Sequence, residues 1–243
     1  MGQNFYQELS EYYDEVFPLE GSVLDFLVNT IPGGSRVLDL ACGTGTYSIA
    51  LAQSAYSVTG VELDEKMIGG AKKKDSSHTV KFIRGDITEL GEFQGGNYDG
   101  VICIGNSVPH LADKPVVIRA FNTWYNLLSA SGVMILQVVN FQKFARNEPT
   151  DLPTIKTQNI QFERQYIPAD SSHVSFETKL SISGTKESLQ NSVQLLILKR
   201  AFFEDSLTNL GFSRITYYGS YSKEPYDPSA SFLLIAVAEK GHY

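Results

Sequence analysis

The stretch from Val37 to Tyr47 constrains this chain more than any other. It reads VLDLACGTGTY, an apolar run typical of a β-strand, followed by Gly43 and Gly45 and then by residues compatible with a helix. Glycine adopts positive φ without steric cost and lets the backbone approach a ligand closely. The stretch therefore predicts a strand, a tight turn and the start of a helix, with a ligand held against the turn.

Two kinds of nucleotide site fit such a turn. A dinucleotide fingerprint, G-x-G-x-x-G, would carry its third glycine where this chain has Ser48. The carboxylate of Asp39, which precedes the turn, would repel a pyrophosphate and attract a cation. The residues favour a positively charged ligand such as a sulfonium, with a dinucleotide site as the alternative.

Composition narrows the class of partner. The chain has 243 residues, 42% hydrophobic and 19% charged, as in globular proteins, and a net charge of −7, which disfavours nucleic acid. No apolar run reaches the roughly 18 residues that span a bilayer. The two cysteines, Cys42 and Cys103, lie in apolar segments, as expected for reduced core thiols in a cytoplasmic protein. The run Lys72 to Lys74 ends a predicted helix and suits its dipole. We expect a small-molecule substrate, with neither nucleic acid nor membrane as partner.

The order of elements predicts the fold. Strands are expected at 36–40, 57–63, 80–84, 98–104 and 132–139 and helices between them, including 115–128 capped by Asp113. This alternation requires a parallel sheet with right-handed crossovers. After a helix at 200–210 that ends at Gly211, strands at 212–218 and 231–239 form a final hairpin in which one strand runs against the others. The expected fold is α/β: a Rossmann-like, seven-stranded, mostly parallel, doubly wound sheet.

An antiparallel β insertion is expected after the fifth strand. Strands are predicted at 159–167, 173–183 and 189–199, and in the second of them Val174, Phe176, Leu180 and Ile182 share one face. The predicted domains are a helical cap at 1–34, which begins with an amphipathic helix at 3–17, a core at 35–140 and 200–243, and the insertion at 141–199. The insertion would act as a substrate lid or as an element of a homodimer. Arg164 and Tyr166 either face the crevice or lie on the solvent side.

Carboxylates follow the second predicted strand. Glu62 comes nineteen residues after Gly43, close to the spacing at which a carboxylate binds ribose hydroxyls. Asp64 precedes a helical segment and suits an N-cap. We therefore assign the ribose to Glu62.

The third strand is followed by Asp86 and Ile87. The carboxylate of Asp86 could accept a hydrogen bond from an adenine amino group, and Ile87 could cover the ring. Alternatively, Asp86 only satisfies backbone donors in a turn.

The fourth predicted strand ends in a segment with candidate catalytic residues. Ligands of doubly wound sheets bind beyond the carboxyl ends of the strands, so residues 104–110 should face the same crevice as Gly43. Asn106 offers amide donors and an acceptor, and His110 a neutral imidazole. For His110, packing between loop and helix is the alternative to contact with substrate.

These residues resemble the class I methyltransferases that depend on S-adenosylmethionine (AdoMet). The resemblance rests on the run from Asp39 to Gly45, on Glu62, on Gly85-Asp86-Ile87 and on YDGVIC at 98–103. It implies that the glycine turn contacts the methionine part, that Glu62 holds the ribose, and that Asp86 and Ile87 hold the adenine. The implied cofactor-binding residues are Asp39, Ala41, Gly43, Gly45, Glu62, Leu63, Asp86, Ile87, Ile104 and Tyr13. The chain departs from the pattern at Ala41, where many relatives have glycine.

The resemblance also has implications for the N-terminal segment and for the residues after the fourth strand. In many members an aromatic residue of the N-terminal segment closes the site, which would involve Tyr12 or Tyr13; plain packing is the alternative. Residues 104–111 and the insertion are similar to the glycine and sarcosine N-methyltransferase branch. This implies methyl transfer to a small-molecule acceptor, possibly an amine nitrogen, with His110 and Asn106 as catalytic residues and no metal. A non-catalytic AdoMet-binding regulatory protein and an NAD-type protein are the alternatives.

Overall fold

The computed structural model describes residues 9–93, 96–143, 148–185 and 188–241. The predicted N-terminal helix covered residues 3–17, so its first six residues lie outside these ranges. The helices are α1 Tyr13–Val16, α2 Gly21–Val28, α3 Thr46–Gln53, α4 Glu65–Lys74, α5 Lys114–Leu127 and α6 Arg200–Leu210. Short 3-10 turns lie at Gly91–Phe93 and Val108–His110.

The strands form two separate sheets. They are β1 Arg36–Leu40, β2 Ser57–Glu62, β3 Val80–Arg84, β4 Tyr98–Cys103, β5 Leu128–Val139, β6 Thr150–Lys156, β7 Ile160–Pro168, β8 His173–Ile182, β9 Ser188–Leu196, β10 Phe212–Tyr218 and β11 Leu233–Lys240. The large sheet has the order β10-β11-β5-β4-β1-β2-β3, with β1 to β5 parallel and β11 antiparallel to both of its neighbours. The predicted seven-stranded, mostly parallel sheet is confirmed.

The helix ends are formed by capping residues that the sequence analysis had identified. The carboxylate of Asp64 accepts hydrogen bonds from the backbone N–H groups of Lys66 and Met67, at 2.9 and 3.0 Å, and thereby caps α4. Asp113 caps α5 in the same way through Val116 N at 2.7 Å. Helix α6 ends at Gly211, whose φ of +92° is left-handed. All three ends were predicted.

Helices cover both faces of the large sheet. One face packs against α5 and α6 in a cluster that includes Phe121, Trp124 and Phe203. The opposite face packs against α2, α3 and α4 in a cluster that includes Phe26 and Leu51. Because both faces are covered, the parallel strands are buried on both sides and the sheet is doubly wound, as predicted.

The second sheet is antiparallel, with the order β6-β7-β8-β9. Strand β6 was not predicted. It is an edge strand of sequence TDLPTIK whose register shifts between Leu152 and Ile155 and which contains Pro153. Proline is tolerated only at edges or bulges of a sheet, so a residue pattern of this kind does not indicate a strand.

Candidate active site at the carboxyl edge of the large sheet

The glycine turn after β1 has an unusual backbone. Gly43 and Gly45 have φ of +58° and +72°, as the sequence predicted, and Ala41 also has a positive φ, of +56°. A Cβ atom at position 45 would lie 2.4 Å from Cζ of Phe82, so glycine is needed there for packing as well as for conformation. The left-handed conformation of Ala41 costs about 1 kcal/mol.

Glu62 connects the glycine turn to the end of β2 by hydrogen bonds. Its Oε2 accepts a hydrogen bond from Gly43 N at 2.9 Å, and its Oε1 accepts one from Asp64 N at 2.9 Å. Burial raises the pKa of Glu62, although these backbone hydrogen bonds oppose the shift. Each carboxylate oxygen has a second lone pair, so the group can still accept hydroxyl donors. Leu63, next to it, is exposed.

Asp39 lies beneath the turn and is only 3% exposed. Its Oδ2 accepts a hydrogen bond from Ser48 Oγ at 2.5 Å. Burial raises the pKa of Asp39 to about 7; the bond from Ser48 lowers it, and the charge of Glu62 raises it further. The negative charge that the sequence predicted beside the turn is therefore present in full only above neutral pH.

Asp86 and Ile87 adjoin Glu62 but make local bonds. Gly85 N donates to the backbone oxygen of Glu62 at 2.9 Å, which holds the two loops together. Oδ1 of Asp86 accepts from both the N–H and the hydroxyl of Thr88, at 2.8 and 2.7 Å, so Asp86 does have the turn role given as the alternative. Ile87 is 8% exposed. An adenine contact would use Asp86 Oδ2.

The segment after β4 is tied to β5. Gly105 N donates to Gln137 Oε1 at 2.7 Å, and Val139 N donates to Asn106 Oδ1 at 2.8 Å. Asn106, with a φ of +65°, therefore uses its carbonyl oxygen on the protein and keeps its NH₂ group for other partners. Ile104, directly after β4, is 8% exposed and belongs to the core cluster between the sheet and helices α2, α3 and α4.

His110 ends the 3-10 turn Val108–His110. Part of the residue is exposed, but the surrounding protein atoms lower the pKa of its imidazole below the ordinary 6.5. The ring is neutral at pH 7 and can accept a proton or a hydrogen bond. The turn packs against β9 of the second sheet.

Tyr13 covers the glycine turn. An added Cβ at Gly43 would lie 3.6 Å from Cε1 of Tyr13 and 3.7 Å from its hydroxyl oxygen. Tyr13 packs against Phe17 at 5.0 Å between ring centroids, and Phe17 lies edge-on to Phe162 of β7 at 6.2 Å. The aromatic residue of the N-terminal segment that lies at the site is thus Tyr13.

Asp14 anchors the same helix to the glycine turn. Its Oδ1 accepts from the hydroxyls of Thr44 and Thr46 at 2.5 and 3.0 Å, and its Oδ2 lies 2.7 Å from Lys74 Nζ. Burial opposes the ionisation of Asp14, but the bonds from Lys74 and Thr44 outweigh it and lower its pKa. Lys74, which the sequence assigned to a helix dipole, also forms an ion pair. No short-range pattern could show this contact, because the partners are thirty and sixty residues apart.

The second sheet places Arg164 and Tyr166 on its inner face. Tyr166 is 4% exposed and packs edge-on against Phe141 at 5.0 Å. Arg164 is half-buried, and its Nη2 donates to the backbone oxygen of Pro153 at 2.8 Å. Neither residue lies on the solvent side.

Other features of the described residues bear less on the site. In these ranges no three His, Cys, Asp or Glu side chains are grouped so as to hold a metal ion. Nor is any helix there long and apolar enough to cross a membrane. A cavity of about 390 Å³ lined by Arg36, His78 and Lys81 lies at the amino ends of the strands, on the edge opposite to the glycine turn.

Known proteins resemble the chain in sequence. Residues 37–132 match the family described as methyltransferase domain. A Bacillus subtilis (strain 168) relative whose name suggests a methyltransferase, YqeM, is 31% identical over 161 residues, 65% of this chain and 64% of the relative. The chain thus spans slightly less than two thirds of that relative. The glycine/sarcosine N-methyltransferase of Aphanothece halophytica is 26% identical over 224 residues, 89% of this chain and 81% of the enzyme.

The fold also resembles solved structures. The AdoMet-bound amino pentose methyltransferase CalS10 of Micromonospora echinaspora superposes with a TM-score of 0.71 over 90% of this chain and 88% of that one, at 18% identity. The family match and the sheet order are those of the class I AdoMet-dependent methyltransferases, which the chain resembles in sequence over residues 37–132 and in fold over 90% of its length. AdoMet is the cofactor of this class.

Proposed function

We propose that this protein transfers the methyl group of AdoMet to an amine nitrogen of a small molecule. The observation that carries the proposal is the glycine turn at 41–45, in left-handed conformation and closed by the carboxylate of Glu62. A bare backbone corner between two acidic side chains suits a ligand that has both hydroxyl donors and a positive charge.

The residues at this corner fit AdoMet. Glu62 would accept the ribose hydroxyls, and Asp86 and Ile87 would hold the adenine. The turn at Gly43 and Gly45, with Asp39 below and Tyr13 above, would hold the methionine part. Ala41, Leu63 and Ile104 complete the proposed cofactor-binding residues.

AdoMet supplies an activated methyl group whose departure leaves a neutral thioether, so no acid is needed. The protein must hold the acceptor nitrogen about 3 Å behind the methyl carbon and exclude water. Asn106, whose carbonyl oxygen is fixed by Val139 N, would orient the acceptor through its NH₂ group. His110, neutral at pH 7, would accept a hydrogen bond from an N–H of the free amine and so orient its lone pair toward the methyl carbon. The proton that the product ammonium loses would go to solvent.

The choice of an amine acceptor is supported by relatives. The Aphanothece enzyme is named for glycine and sarcosine, and CalS10 for an amino pentose. Both names describe nitrogen-bearing acceptors, although the acceptors differ in size and charge.

The insertion at 141–199 would serve as the lid over the acceptor. Its inner face packs against the N-terminal segment through Phe162 and Leu180, and against the end of β5 through Tyr166 and Phe141. Both contacts adjoin the crevice. We therefore propose that the cap at 1–34 and the insertion together cover the core formed by 35–140 and 200–243.

Transfer of labelled methyl groups from AdoMet to a panel of primary amines, phenols and thiols tests the activity. Labelled product with an amine is expected. If S-adenosylhomocysteine raises the melting temperature but no acceptor is methylated, the regulatory alternative gains support. Stabilisation by NAD and not by S-adenosylhomocysteine would instead support a dinucleotide protein.

A further inference from the structure

A gap in the covering of the large sheet lies over the amino halves of β1, β2 and β3. Within the described residues, the connection from β3 to β4 contains only the 3-10 turn Gly91–Phe93, where a helix could have covered this face. Leu90 and Phe93 of the connection are buried in one cluster with Leu40 and Val61, which lie toward the carboxyl ends of their strands. Inner strands of a parallel sheet are ordinarily covered on both faces, so an open part of the face is unusual.

The side chains at the gap are polar. On each of the three strands, the side chain on this face changes from polar to apolar two residues further along. The pairs are Arg36 and Leu38 on β1, Thr59 and Val61 on β2, and Lys81 and Ile83 on β3. The register aligns Leu38 with Thr59 and Thr59 with Lys81, so all of these side chains share one face.

The open half of the face borders a cavity of about 390 Å³, which we call the amino-edge cleft. Its polar lining consists of Arg36, Ser57, Thr59, His78, Thr79 and Lys81. Strands β1 and β3, which carry the exposed Arg36 and Lys81, are two positions apart in the sheet, or about 10 Å between backbones. Strand β2 lies between them and contributes the hydroxyls. A ligand in the cleft would therefore meet a cation on each side and hydroxyl donors beneath.

The cations of the cleft have no acidic partner. In the described ranges no carboxylate lies within ion-pair distance of Arg36, His78 or Lys81. The guanidinium of Arg36 lies over the ring of Tyr98, with its Cζ 5.1 Å from the ring centroid. Such stacking holds a guanidinium in place and leaves its edge available to donate. Unpaired cations that face one cavity, in a chain of net charge −7, favour an anionic ligand.

Two carboxylates near the cleft are already used within the protein. Asp75, 3% exposed, accepts from Thr79 Oγ1 and from the first backbone N–H of β3, both at 2.8 Å. Asp99 accepts from Arg36 N at 3.0 Å and from Ser129 Oγ at 3.1 Å, with one bond on each of its oxygens. The two carboxylates therefore fix the backbone around the cleft and do not pair with its cations.

The cleft lies too far from the glycine turn for its ligand to be the methyl acceptor. Arg36 begins β1 and Ala41 follows its end. Five residues of strand span about 16 Å at roughly 3.3 Å per residue. Ser57 and Glu62 likewise lie at opposite ends of β2. A molecule in the cleft is therefore a second ligand that can be bound together with AdoMet.

We propose that the amino-edge cleft binds a small molecule that bears a phosphate group, separately from AdoMet and the methyl acceptor. Arg36 and Lys81 donate charge-assisted hydrogen bonds to the phosphate oxygens, and the hydroxyls of Ser57 and Thr59 donate to those that face the sheet. A phosphate suits the cleft better than a carboxylate because it presents three strong acceptor oxygens to donors on different sides. The inference is independent of the proposed function, since it requires neither methyl transfer nor a particular acceptor.

The test is isothermal titration calorimetry on the protein saturated with S-adenosylhomocysteine, so that the cofactor corner is filled. Ribose 5-phosphate and inorganic pyrophosphate are the probes, and ribose is the matched control without phosphate. Both phosphates should bind and ribose should not. Tighter binding of ribose 5-phosphate would assign the ligand as a phosphate ester, and tighter binding of pyrophosphate as a polyphosphate. Ribose binding as tightly as ribose 5-phosphate, or no binding of either phosphate, would overturn the proposal.

Two variants locate the site. Arg36→Met and Lys81→Met should each weaken phosphate binding roughly 10-fold, because each removes a charged hydrogen-bond donor. Both side chains are exposed, so the melting temperature without phosphate should change little. Lys156→Met, at the exposed end of β6 in the second sheet, should keep the wild-type affinity. Equal affinities in the wild type, R36M and K81M would contradict the proposed site, as would displacement of S-adenosylhomocysteine by pyrophosphate.

Discussion

The two sheets of this protein differ in whether their polar side chains are hydrogen-bonded within the protein. At the carboxyl edge of the large sheet, Glu62 binds two backbone N–H groups, Asp39 binds Ser48, and Asp86 binds Thr88. On the inner face of the insertion sheet (β6 to β9), three buried side-chain atoms have no partner in the described residues: Arg164 Nε, Thr178 Oγ1 and Asn191 Nδ2. The polar groups of the first region are hydrogen-bonded within the protein, whereas these three atoms of the second region are not.

This difference corresponds to the two ligands of the proposed reaction, the cofactor and the methyl acceptor. A cofactor that is the same in every turnover suits a turn already fixed by the protein, because little order is lost or gained on binding. A site whose groups are satisfied only by its own ligand discriminates strongly, because any molecule that lacks the matching groups leaves them unpaired.

Gly45→Ala should have the largest effect, and it should act on folding. The new Cβ would lie 2.4 Å from Phe82 in a left-handed backbone, so we expect a loss of about 2–4 kcal/mol in the free energy of unfolding. Urea denaturation measures it. Gly69→Ala, in a helix with open space around the position, is the control and should be neutral or stabilising. A G45A protein as stable as the wild type would show that Phe82 and the turn can shift to admit a side chain.

Glu62→Ala should weaken S-adenosylhomocysteine binding by about 1.5–3 kcal/mol, because it removes charged hydrogen bonds to the ribose and the bond that holds Gly43 N. Isothermal titration calorimetry measures the affinity. Glu62→Gln keeps one carbonyl oxygen and should fall between wild type and alanine. If E62A bound as tightly as the wild type, the ribose assignment would be wrong.

Asp39→Asn should change the pH dependence. The pKa of about 7 in the folded protein exceeds the ordinary 3.8, so the folded state holds the proton more tightly, and stability falls as the pH rises from about 4 to about 7. D39N should remove this slope and, at pH 8, be more stable than the wild type by about 1–2 kcal/mol.

The same substitution tests the electrostatic argument for AdoMet. In the wild type, the preference for cationic AdoMet over neutral S-adenosylhomocysteine should increase between pH 6 and pH 8, as Asp39 ionises. In D39N the ratio of the two dissociation constants should not change with pH. A pH-dependent ratio in both proteins would assign the effect to another group.

Lys74→Met should have the smallest effect on global stability. The ion pair with Asp14 is partly exposed, so its loss should cost at most about 1 kcal/mol. Hydrogen exchange in residues 9–17 should nevertheless become faster, because the N-terminal helix loses its link to the glycine turn. Lys73→Met, at the same helix end, should leave exchange unchanged. Equal exchange in both variants would show that apolar packing alone holds the segment.

The sequence predicted the geometry around the glycine turn well because its determinants are local. Strand order follows from alternating elements, the helix ends follow from Asp64, Asp113 and Gly211, and the positive φ values follow from glycines. Ala41 is the exception, since its left-handed backbone is imposed by the surrounding fold and not by its residue type.

The acceptor side was harder to predict because its determinants are long-range. Arg164, Thr178 and Asn191 become neighbours only through the register of three strands, which one sequence does not reveal. A signal was nevertheless present: the apolar alternation of β8 omits position 178. Gln137 is the one polar residue in the second half of β5, and this interruption of an apolar run is a signal of the same kind.

The four-residue helix α1 contacts both the glycine turn and the insertion sheet. Asp14 binds the glycine turn, while its neighbour Glu15 accepts from Thr157 and Asn159 at the turn between β6 and β7, both at 2.8 Å. A movement of α1 that uncovers Gly43 therefore loosens the insertion as well. Departure of the spent cofactor and entry of the next acceptor would share one opening step, and the frequency of that step sets an upper limit on the turnover rate.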